Sequence, residues 1–364
     1  MSLSPDVLAA APGPTRLVGH DAAVPGGSPV IRPEDAQFHA PTSDDPLWAE
    51  TNYFGLYAGQ DTDRPMNIGV YGLFREPLGV VGSTVSVNSR RVTMPWAADY
   101  WDAWEHLVVP QPSNLLDYTL ANGLHVVCSE PNKVWDVDYS DAAADLELHF
   151  RYTALMEPYD INDPDQDPKA AGRDMNKTWG HAYAGHFDQT GHFEGEIRLR
   201  GTTTPIDCVS TMDHSWGVRA ERQTSRLSWM HAHVGPDLAL HALFDFTTDN
   251  GPDGPSPLTM THGYVLDNGV VRGLASGSGE TTRSGLYPEH IEITVADAEG
   301  RTWDATGDAL TTFPWQSQPG VVGHNSLLRW TLDGRTAYGE CMDFVGMGEL
   351  GRVYDRVHAA AAGV

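Results

Sequence analysis

Short runs of alternating apolar and polar residues, bounded by turn-forming residues, recur along most of this chain and constrain its fold most strongly. Three of them are LELHFRYTAL from Leu146, GHFEGEIRLRG from Gly191 and SLLRWTLDGRTAYGECMDF from Ser326. Successive side chains of a β-strand point to opposite faces, so this alternation predicts half-buried antiparallel strands. Hairpin turns are marked by DNG at 267–269 and DG at 333–334, where Asn and Gly tolerate positive φ. The predicted fold class is therefore all-β.

The number of such runs, about a dozen and a half, exceeds what one small barrel holds. The economical arrangement is two tandem antiparallel β-barrels or sandwiches with a few short helices. Residues 1–32 are rich in Ala, Pro, Gly and Ser, lack periodicity and are predicted to form a flexible N-terminal arm. Residues 33–200 are predicted to form an N-terminal β domain, and residues 201–364 a C-terminal β domain with a terminal helix.

The balance of charge argues against two classes of partner. The 364 residues include 49 acidic and 23 basic side chains, which give a formal net charge of −26. A surface this negative repels phosphate backbones and anionic lipids, so no nucleic-acid partner is expected. No window approaches the roughly 18 consecutive apolar residues of a membrane span, so no membrane insertion is expected.

The cysteines and the missing motifs bear on location and cofactors. Cys128, Cys208 and Cys341 are far apart and form no CxxC pair. Free buried thiols fit a reducing compartment, and the basic start and apolar run of a signal peptide are absent, so the predicted location is the cytoplasm. The GxSxG and P-loop signatures are also absent, and no cofactor is expected.

The stretch TMDHSWGVR at 211–219 combines an acid, an imidazole, an indole and a guanidinium. In an extended strand Asp213 lies on one face, and His214 and Trp216 lie on the other. A bend at Gly217 would bring Asp213 to the same cavity as the other two. The alternative interpretation is that Asp213 caps a turn and Trp216 fills the core.

A second group of ionisable residues lies in GHAYAGHFDQTGHFEG, before that stretch. His186 and Asp188 are two residues apart, so their side chains share a strand face. A carboxylate beside a histidine sets its tautomer and raises its basicity, as general acid–base catalysis requires. The alternative is a polar turn with exposed histidines.

The segment WMHAHV places Trp229, His231 and His233 on one strand face. With His324 far along the chain, this HxH faintly resembles the metal-binding arrangement of cupins, but Ser225 stands where a cupin has glycine. Histidines facing an organic ligand explain the same residues, so no metal site is predicted.

Eleven tryptophans are many for this length, and two of them suggest a cavity wall. Trp101 and Trp104 lie at helix-like spacing in MPWAADYWDAWEHL, as if to roof an apolar cavity. Indole faces also stabilise a cationic carbon.

Three segments carry a family resemblance: QFHAPTSDDPLWAETNYFGLY from Gln37, GHFDQTGHFEGEIRLRG from Gly185 and MDHSWGVR from Met212. They resemble the lipocalin-like two-domain proteins related to hydroxyneurosporene synthase (carotenoid 1,2-hydratase), to AttH-like proteins and to lipocalin-like Diels-Alderases. The resemblance implies two tandem lipocalin-like domains. It also implies that Asp213 is a proton donor and that His214 and Trp216 are pocket residues. The resemblance implies the fold of this family more strongly than the reaction of any one member, because one fold can carry different reactions.

The leading functional hypothesis is a cofactor-independent hydratase or dehydratase, or an isomerase or cyclase. It would act by acid–base catalysis on a small-to-medium apolar molecule, isoprenoid-like or polyketide-like, and burial against Trp216 would raise the pKa of Asp213. The candidate catalytic residues are Asp213, His214, His186 and Asp188. The candidate substrate-binding residues are Trp216, Arg219, Glu50, Asn52, Trp229, His231, His233, Trp101 and Trp104.

Two alternatives remain at this point. One is a non-catalytic lipocalin-like protein that binds an apolar ligand. The other is a cupin-like metal-dependent enzyme. The expected partner is a small apolar organic molecule, and a homodimer is compatible with the sequence.

Overall fold

The computed structural model describes residues 16–17, 31–41, 45–170, 184–219 and 226–362. Most of the predicted N-terminal arm therefore lies outside the described residues. Its Arg16–Leu17 forms a short strand, β1, that runs parallel to Val270–Val271.

The first half of the chain forms an open, strongly curved antiparallel sheet, which is eleven-stranded among the described residues. Its strands are β2 (Trp48–Ala58), β3 (Met66–Arg75), β4 (Val80–Asn88), β5 (Tyr100–Val108), β6 (Asp117–Thr119), β7 (His125–Glu130), β8 (Val134–Asp141), β9 (Leu146–Ala154), β10 (Tyr159–Asp160), β11 (Gly185–Leu199) and β12 (Thr202–Val218). The order across the sheet is β5-β4-β3-β2-β12-β11-β9-β8-β7-β6, and β10 pairs with β11. Short 3-10 helices lie at Pro33–Ala36, Glu76–Leu78 and Pro95–Ala97.

The second half forms a closed antiparallel barrel in which each strand pairs with the next. Its strands are β13 (Arg226–Gly235), β14 (Leu238–Phe246), β15 (Ser256–Asp267), β16 (Val270–Ser284), β17 (Tyr287–Asp297), β18 (Thr302–Gln318), β19 (Val321–Leu332) and β20 (Arg335–Gly346). The barrel closes because β20 pairs with β13. The predicted turns are present, with positive φ at Asn268, Gly269, Asp333 and Gly334. The predicted all-β class with two tandem units and few helices is confirmed.

The predicted terminal helix is α1 (Met347–Ala362). Its Val353 is fully buried, and Leu350 packs against the core of the barrel. In the part of the chain that the structure describes, no helix combines the length and hydropathy needed to span a membrane. The three cysteines are free and buried, as the sequence predicts.

The division between the two units falls later than the boundary placed between residues 200 and 201. Strand β12 pairs with both β11 and β2, so it belongs to the first sheet. Arg200 and Gly201 form a two-residue hairpin loop with φ of 51° and 76°, a turn and not a linker. The chain therefore passes to the barrel between Val218 and Arg226.

One face of the first sheet packs against the outside of the barrel, and this contact determines where a cavity can form between the two units. The concave face of the first sheet holds its own core around Phe54, Trp135 and Phe150. Its other face packs on the outside of the barrel, where Tyr53 meets Trp315 with ring centroids 5.5 Å apart. Strand β2 is buried at every position because both of its faces are covered.

The hairpin at 200–201 gives a test of this topology. An added Cβ at Gly201 or at Gly351 in α1 would meet no atom within 4 Å, so only the backbone differs between the two sites. We expect Gly201→Ala to lower the free energy of unfolding by about 1 kcal/mol because its φ is positive. Gly351→Ala should raise it by about 0.5–1 kcal/mol because alanine favours a helix. Urea unfolding of both variants measures this, and a neutral or stabilising Gly201→Ala would contradict the hairpin.

Candidate functional site

A cavity lies at the junction between the first sheet and the barrel, with walls of opposite character. The first sheet contributes most of its polar lining: Thr51, His186, Asp213, Ser215 and Arg219. The barrel contributes a mainly apolar wall: Leu227, Trp229, Leu243, Trp315, Met342 and Phe344. An apolar molecule seated here would have one face against hydrocarbon and aromatic rings and the other against ionisable groups.

Strand alternation and register bring the two sequence motifs together in this cavity. The hairpin folds β12 back on β11, so Asp213 pairs directly with Asp188 and Ser215 with His186. Directly opposed residues of an antiparallel pair point to the same face. His186 and Asp188 do share a face, as their spacing predicts.

Asp188 is the most heavily bonded carboxylate of the site. His186 Nε2 lies 2.9 Å from its Oδ2, and His241 Nε2 lies 3.1 Å from the same oxygen. Trp229 Nε1 donates to its Oδ1 at 3.2 Å. Burial opposes the charged form, but His241 and His186 hold the pKa of Asp188 well below its ordinary range. Asp188 is therefore ionised near neutral pH.

Asp213 has the opposite environment. Its Oδ1 is buried and has no hydrogen-bond partner among the described residues. Burial, together with the negative charge of Asp188, raises the pKa of Asp213 to about 7, although His186 and Arg219 act in the other direction. The pKa values of these two neighbouring carboxyl groups are thus driven apart: Asp188 is ionised, and Asp213 can hold a proton near neutral pH.

His186 and Arg219 complete the polar wall. Burial lowers the pKa of His186, but Asp188 outweighs that effect and the pKa is raised. Arg219, at the end of β12, is buried, and its guanidinium donates to Ser215 Oγ at 2.6 Å. Ser215 Oγ also lies 2.6 Å from Thr51 Oγ1. A fixed cation and two hydroxyls can orient a substrate oxygen.

His231 and His233 are brought near the site but do not line the cavity. The edge of His231 packs against Trp229, with ring centroids 4.9 Å apart. His233 Nε2 lies 3.1 Å from Thr211 Oγ1, and the two histidines face each other at 3.2 Å between their Nδ1 atoms. Burial lowers the pKa of both well below the ordinary value, so both are neutral.

Four sequence candidates lie on the other side of the first sheet. His214 and Trp216 point to its concave face, as alternation along β12 requires, and the Gly217 position does not reunite them with Asp213. Glu50 and Asn52 share that concave face from β2. None of these four side chains lines the junction cavity. Trp216 therefore does not bury Asp213, contrary to the prediction from the sequence.

Trp101 and Trp104 do not roof the junction cavity. Both lie on β5, the edge strand of the first sheet, and are 40% and 45% exposed. Trp104 Nε1 donates to Asp102 Oδ1 at 2.7 Å, outside the cavity. Their helix-like spacing is overridden because the segment pairs with β4.

The alternating side-chain directions of the barrel strands also exclude a cupin-like metal site formed by His231, His233 and His324. His324 and its register partner Asp343 point into the barrel, where Asp343 pairs with the buried Arg283. His231 and His233 point out of the barrel toward the first sheet. The barrel wall thus separates His324 from the other two histidines.

His186, Asp188 and Asp213 do bring donor atoms within 4.8 Å of one another. Asp188 Oδ2 is already in contact with His186 Nε2 and His241 Nε2, which favours a proton network over a metal site.

Sequence reasoning did not single out Thr51, Tyr53 and Trp315, which line the cavity. The alternation in WAETNYF already separates Thr51 and Tyr53 from Glu50 and Asn52. Tyr53 donates its hydroxyl hydrogen to Glu340 Oε2 at 2.9 Å, so it is held rigidly at the cavity wall.

Comparison with solved structures shows the same two-part fold in proteins of very different sequence. The AttH-like protein from Nitrosomonas europaea has a TM-score of 0.55 at 14% identity, covering 92% of this chain and 99% of that one. Kievitone hydratase from Nectria haematococca has a TM-score of 0.53 at 10% identity, covering 92% of this chain and 97% of that one. CghA also aligns over 92% of this chain, with a TM-score of 0.48 and 11% identity, covering 97% of that one.

The resemblance inferred from the sequence is therefore confirmed for the fold. No curated protein sequence matches this chain. Residues 32–344 match the family described as Domain of unknown function (DUF7064), which is most of the chain. The chain therefore belongs to the DUF7064 family.

Proposed function

We propose that this protein is a cofactor-independent acid–base enzyme that acts on a small-to-medium apolar molecule in the junction cavity. The reaction class is addition or removal of water, or a related isomerisation or cyclisation, with Asp213 as the proton donor. The observation that carries this proposal is the pair of carboxyls of which Asp213 lines the cavity opposite an apolar wall and Asp188 lies directly across the strand pair from it. Asp188 is held ionised by two histidines, and Asp213 has a pKa of about 7.

In the hydration direction, Asp213 transfers its proton to one carbon of a substrate double bond. The other carbon becomes cationic, and the indoles of Trp229 and Trp315 in the opposite wall stabilise it by roughly 0.5–2 kcal/mol each. Water adds to this carbon and gives a proton to His186, whose basicity Asp188 raises. Return of that proton to Asp213 completes the cycle, with net addition of one water molecule.

The dehydration direction uses the same groups in reverse. Protonated His186 supplies the proton that allows a hydroxyl to leave as water, and the carboxylate of Asp213 removes a proton from the neighbouring carbon. Arg219 and Ser215 lie where a substrate oxygen is oriented. Kievitone hydratase has the same fold, and its name describes hydration, which supports this reaction class without fixing the substrate.

A binding protein without catalysis is the second candidate, and the apolar barrel wall favours it. Leu227, Leu243, Met342 and Phe344 could hold an apolar ligand without any chemistry. The ionisable groups opposite them favour the enzyme, because a carrier gains nothing from carboxyls buried beside its ligand.

Mass spectrometry in heavy-oxygen water tests the proposal. The purified protein, Asp213→Asn and the surface control Asp138→Asn are incubated with a panel of terpenoid alcohols, alkenes and unsaturated ketones. We expect a product or label exchange with the wild type and with Asp138→Asn, whose side chain is 56% exposed, but not with Asp213→Asn. Ligands that bind and emerge unchanged from the wild type would favour the binding protein.

The pKa of Asp213 also predicts the pH dependence. Only the protonated carboxyl donates, so its active fraction falls about tenfold per pH unit above its pKa of about 7. We expect kcat/KM to fall on the alkaline side with that slope, measured between pH 5 and 9. A flat alkaline limb would contradict Asp213 as the acid.

A further inference from the structure

A second cluster of ionisable residues lies on the concave side of the first sheet, opposite the junction cavity. It consists of Glu50 on β2, His214 on β12, and His39 in the segment before β2. Glu50 Oε2 lies 3.1 Å from His39 Nδ1 and 3.5 Å from His214 Nε2. The side chains of Glu50 and His214 are almost fully buried, and that of His39 is 18% exposed.

The hydrogen bonds around this cluster fix the tautomer of His214. His214 Nδ1 lies 2.7 Å from the backbone oxygen of Thr51, which only accepts, so Nδ1 carries the hydrogen. His39 Nε2 lies 3.2 Å from Asp35 Oδ1 and its Nδ1 lies 3.1 Å from Glu50 Oε2, so both ring nitrogens face carboxylate oxygens. In the neutral ring, His214 Nε2 then presents a lone pair to Glu50 Oε2, and His39 Nδ1 presents a second one to the same oxygen when its Nε2 carries the hydrogen.

Glu50 is itself held in this orientation. Its Oε1 accepts a hydrogen bond from the backbone nitrogen of His39 at 2.6 Å, which leaves Oε2 facing the two rings. His214 Nε2 has no hydrogen-bond partner of normal geometry among the described residues. His214 Nε2, Glu50 Oε2 and His39 Nδ1 therefore converge, and a proton on His39 or a metal ion among the three atoms makes the arrangement favourable.

The spacing suits a transition-metal ion. Two imidazole nitrogens and one carboxylate oxygen are a known zinc donor set, with bonds of about 2.0–2.1 Å. Adjacent ligands of a tetrahedron with such bonds lie about 3.4 Å apart, and the observed 3.1 and 3.5 Å bracket that value. The contacts of Asp35 and the Thr51 carbonyl match the outer partners that orient metal-binding histidines.

We propose that His39, Glu50 and His214 bind one divalent transition-metal ion, of which Zn²⁺ is the best fit. The ion fastens residues 31–41 to the first sheet, because His39 is the ligand that this segment supplies. Trp216 stacks on the His39 ring, with centroids 3.6 Å apart and planes 11° from parallel, and so holds it in place. No metal is predicted here from the sequence, because the candidate site residues include Glu50 and His214 but not His39.

The test is metal content and affinity of the full chain. Protein purified without chelator is analysed for metals, stripped, and titrated with Zn²⁺ against a chromophoric chelator. The variants are His39→Ala, Glu50→Gln and the control His149→Ala, whose ring is 57% exposed and contacts Asp138 on the outer surface. His39 is the ligand least buried, so its replacement disturbs the sheet least.

We expect one equivalent of Zn²⁺ for the wild type and for His149→Ala. His39→Ala and Glu50→Gln should bind at least about 100-fold more weakly. Added Zn²⁺ should also raise the Tm of the wild type but not of His39→Ala. Failure of the wild type to bind one equivalent, or unchanged affinity in both ligand variants, would overturn the proposal. Neither result bears on Asp213, whose side chain lies on the other face of β12.

Discussion

Replacing Asp213 by asparagine is expected to lower kcat/KM by about 10²–10⁴-fold, the usual contribution of a positioned general acid. Asparagine keeps the size and polarity of the side chain but has no acidic proton. The apolar wall and the Asp188 cluster stay in place, so substrate binding should change little. The loss should therefore appear in kcat more than in KM.

Stability separates this loss of activity from a loss of structure. Asp213 has a raised pKa, so ionising it in the folded protein costs free energy as the pH rises from the ordinary carboxyl range through about 7. Asparagine has no such cost. At pH 8.5, Asp213→Asn should be at least as resistant to urea as the wild type while being inactive. A variant that is both inactive and clearly less stable at that pH would instead indicate a structural role.

Strand alternation gave the sequence analysis much of this site. A period of two is a local property, so it correctly placed His186 with Asp188 and separated Asp213 from His214. It does not say which face of a strand meets another unit. That is why Glu50, Asn52, His214 and Trp216 were grouped with the cavity when they lie across the sheet from it.

The strand register and the choice of pairing partners could not be predicted from the sequence for a related reason. The Arg200-Gly201 turn looks the same whether it joins two strands of one sheet or two domains, because the backbone requirement is identical. Reading it as a boundary hid the direct pairing of Asp188 with Asp213. Likewise, Trp101 and Trp104 have helical spacing, and only pairing with β4 makes their segment a strand.

The largest expected effect on stability comes from Asp188→Ala. This change removes the one carboxylate that accepts from Trp229 and contacts both His186 and His241, all of them buried. Removing one partner of a buried charged pair costs about 3–5 kcal/mol, because the other groups are left without compensation. We expect the free energy of unfolding, measured with urea at pH 7, to fall by that amount.

Asp138→Ala is the matched control, because Asp138 also contacts a histidine, His149, at 2.6 Å. Both of these side chains are more than half exposed, and an exposed pair contributes less than about 1 kcal/mol. The pKa of Asp188 is depressed, so its contribution is complete above the ordinary carboxyl range and is lost only as the pH falls through the depressed pKa. The difference between the two variants should therefore persist from pH 6 to 8. Equal small losses in both variants would show that His186, His241 and Trp229 are not stabilised by an ionised Asp188. The acid role proposed for Asp213 would then lose its support, because it depends on that neighbouring negative charge.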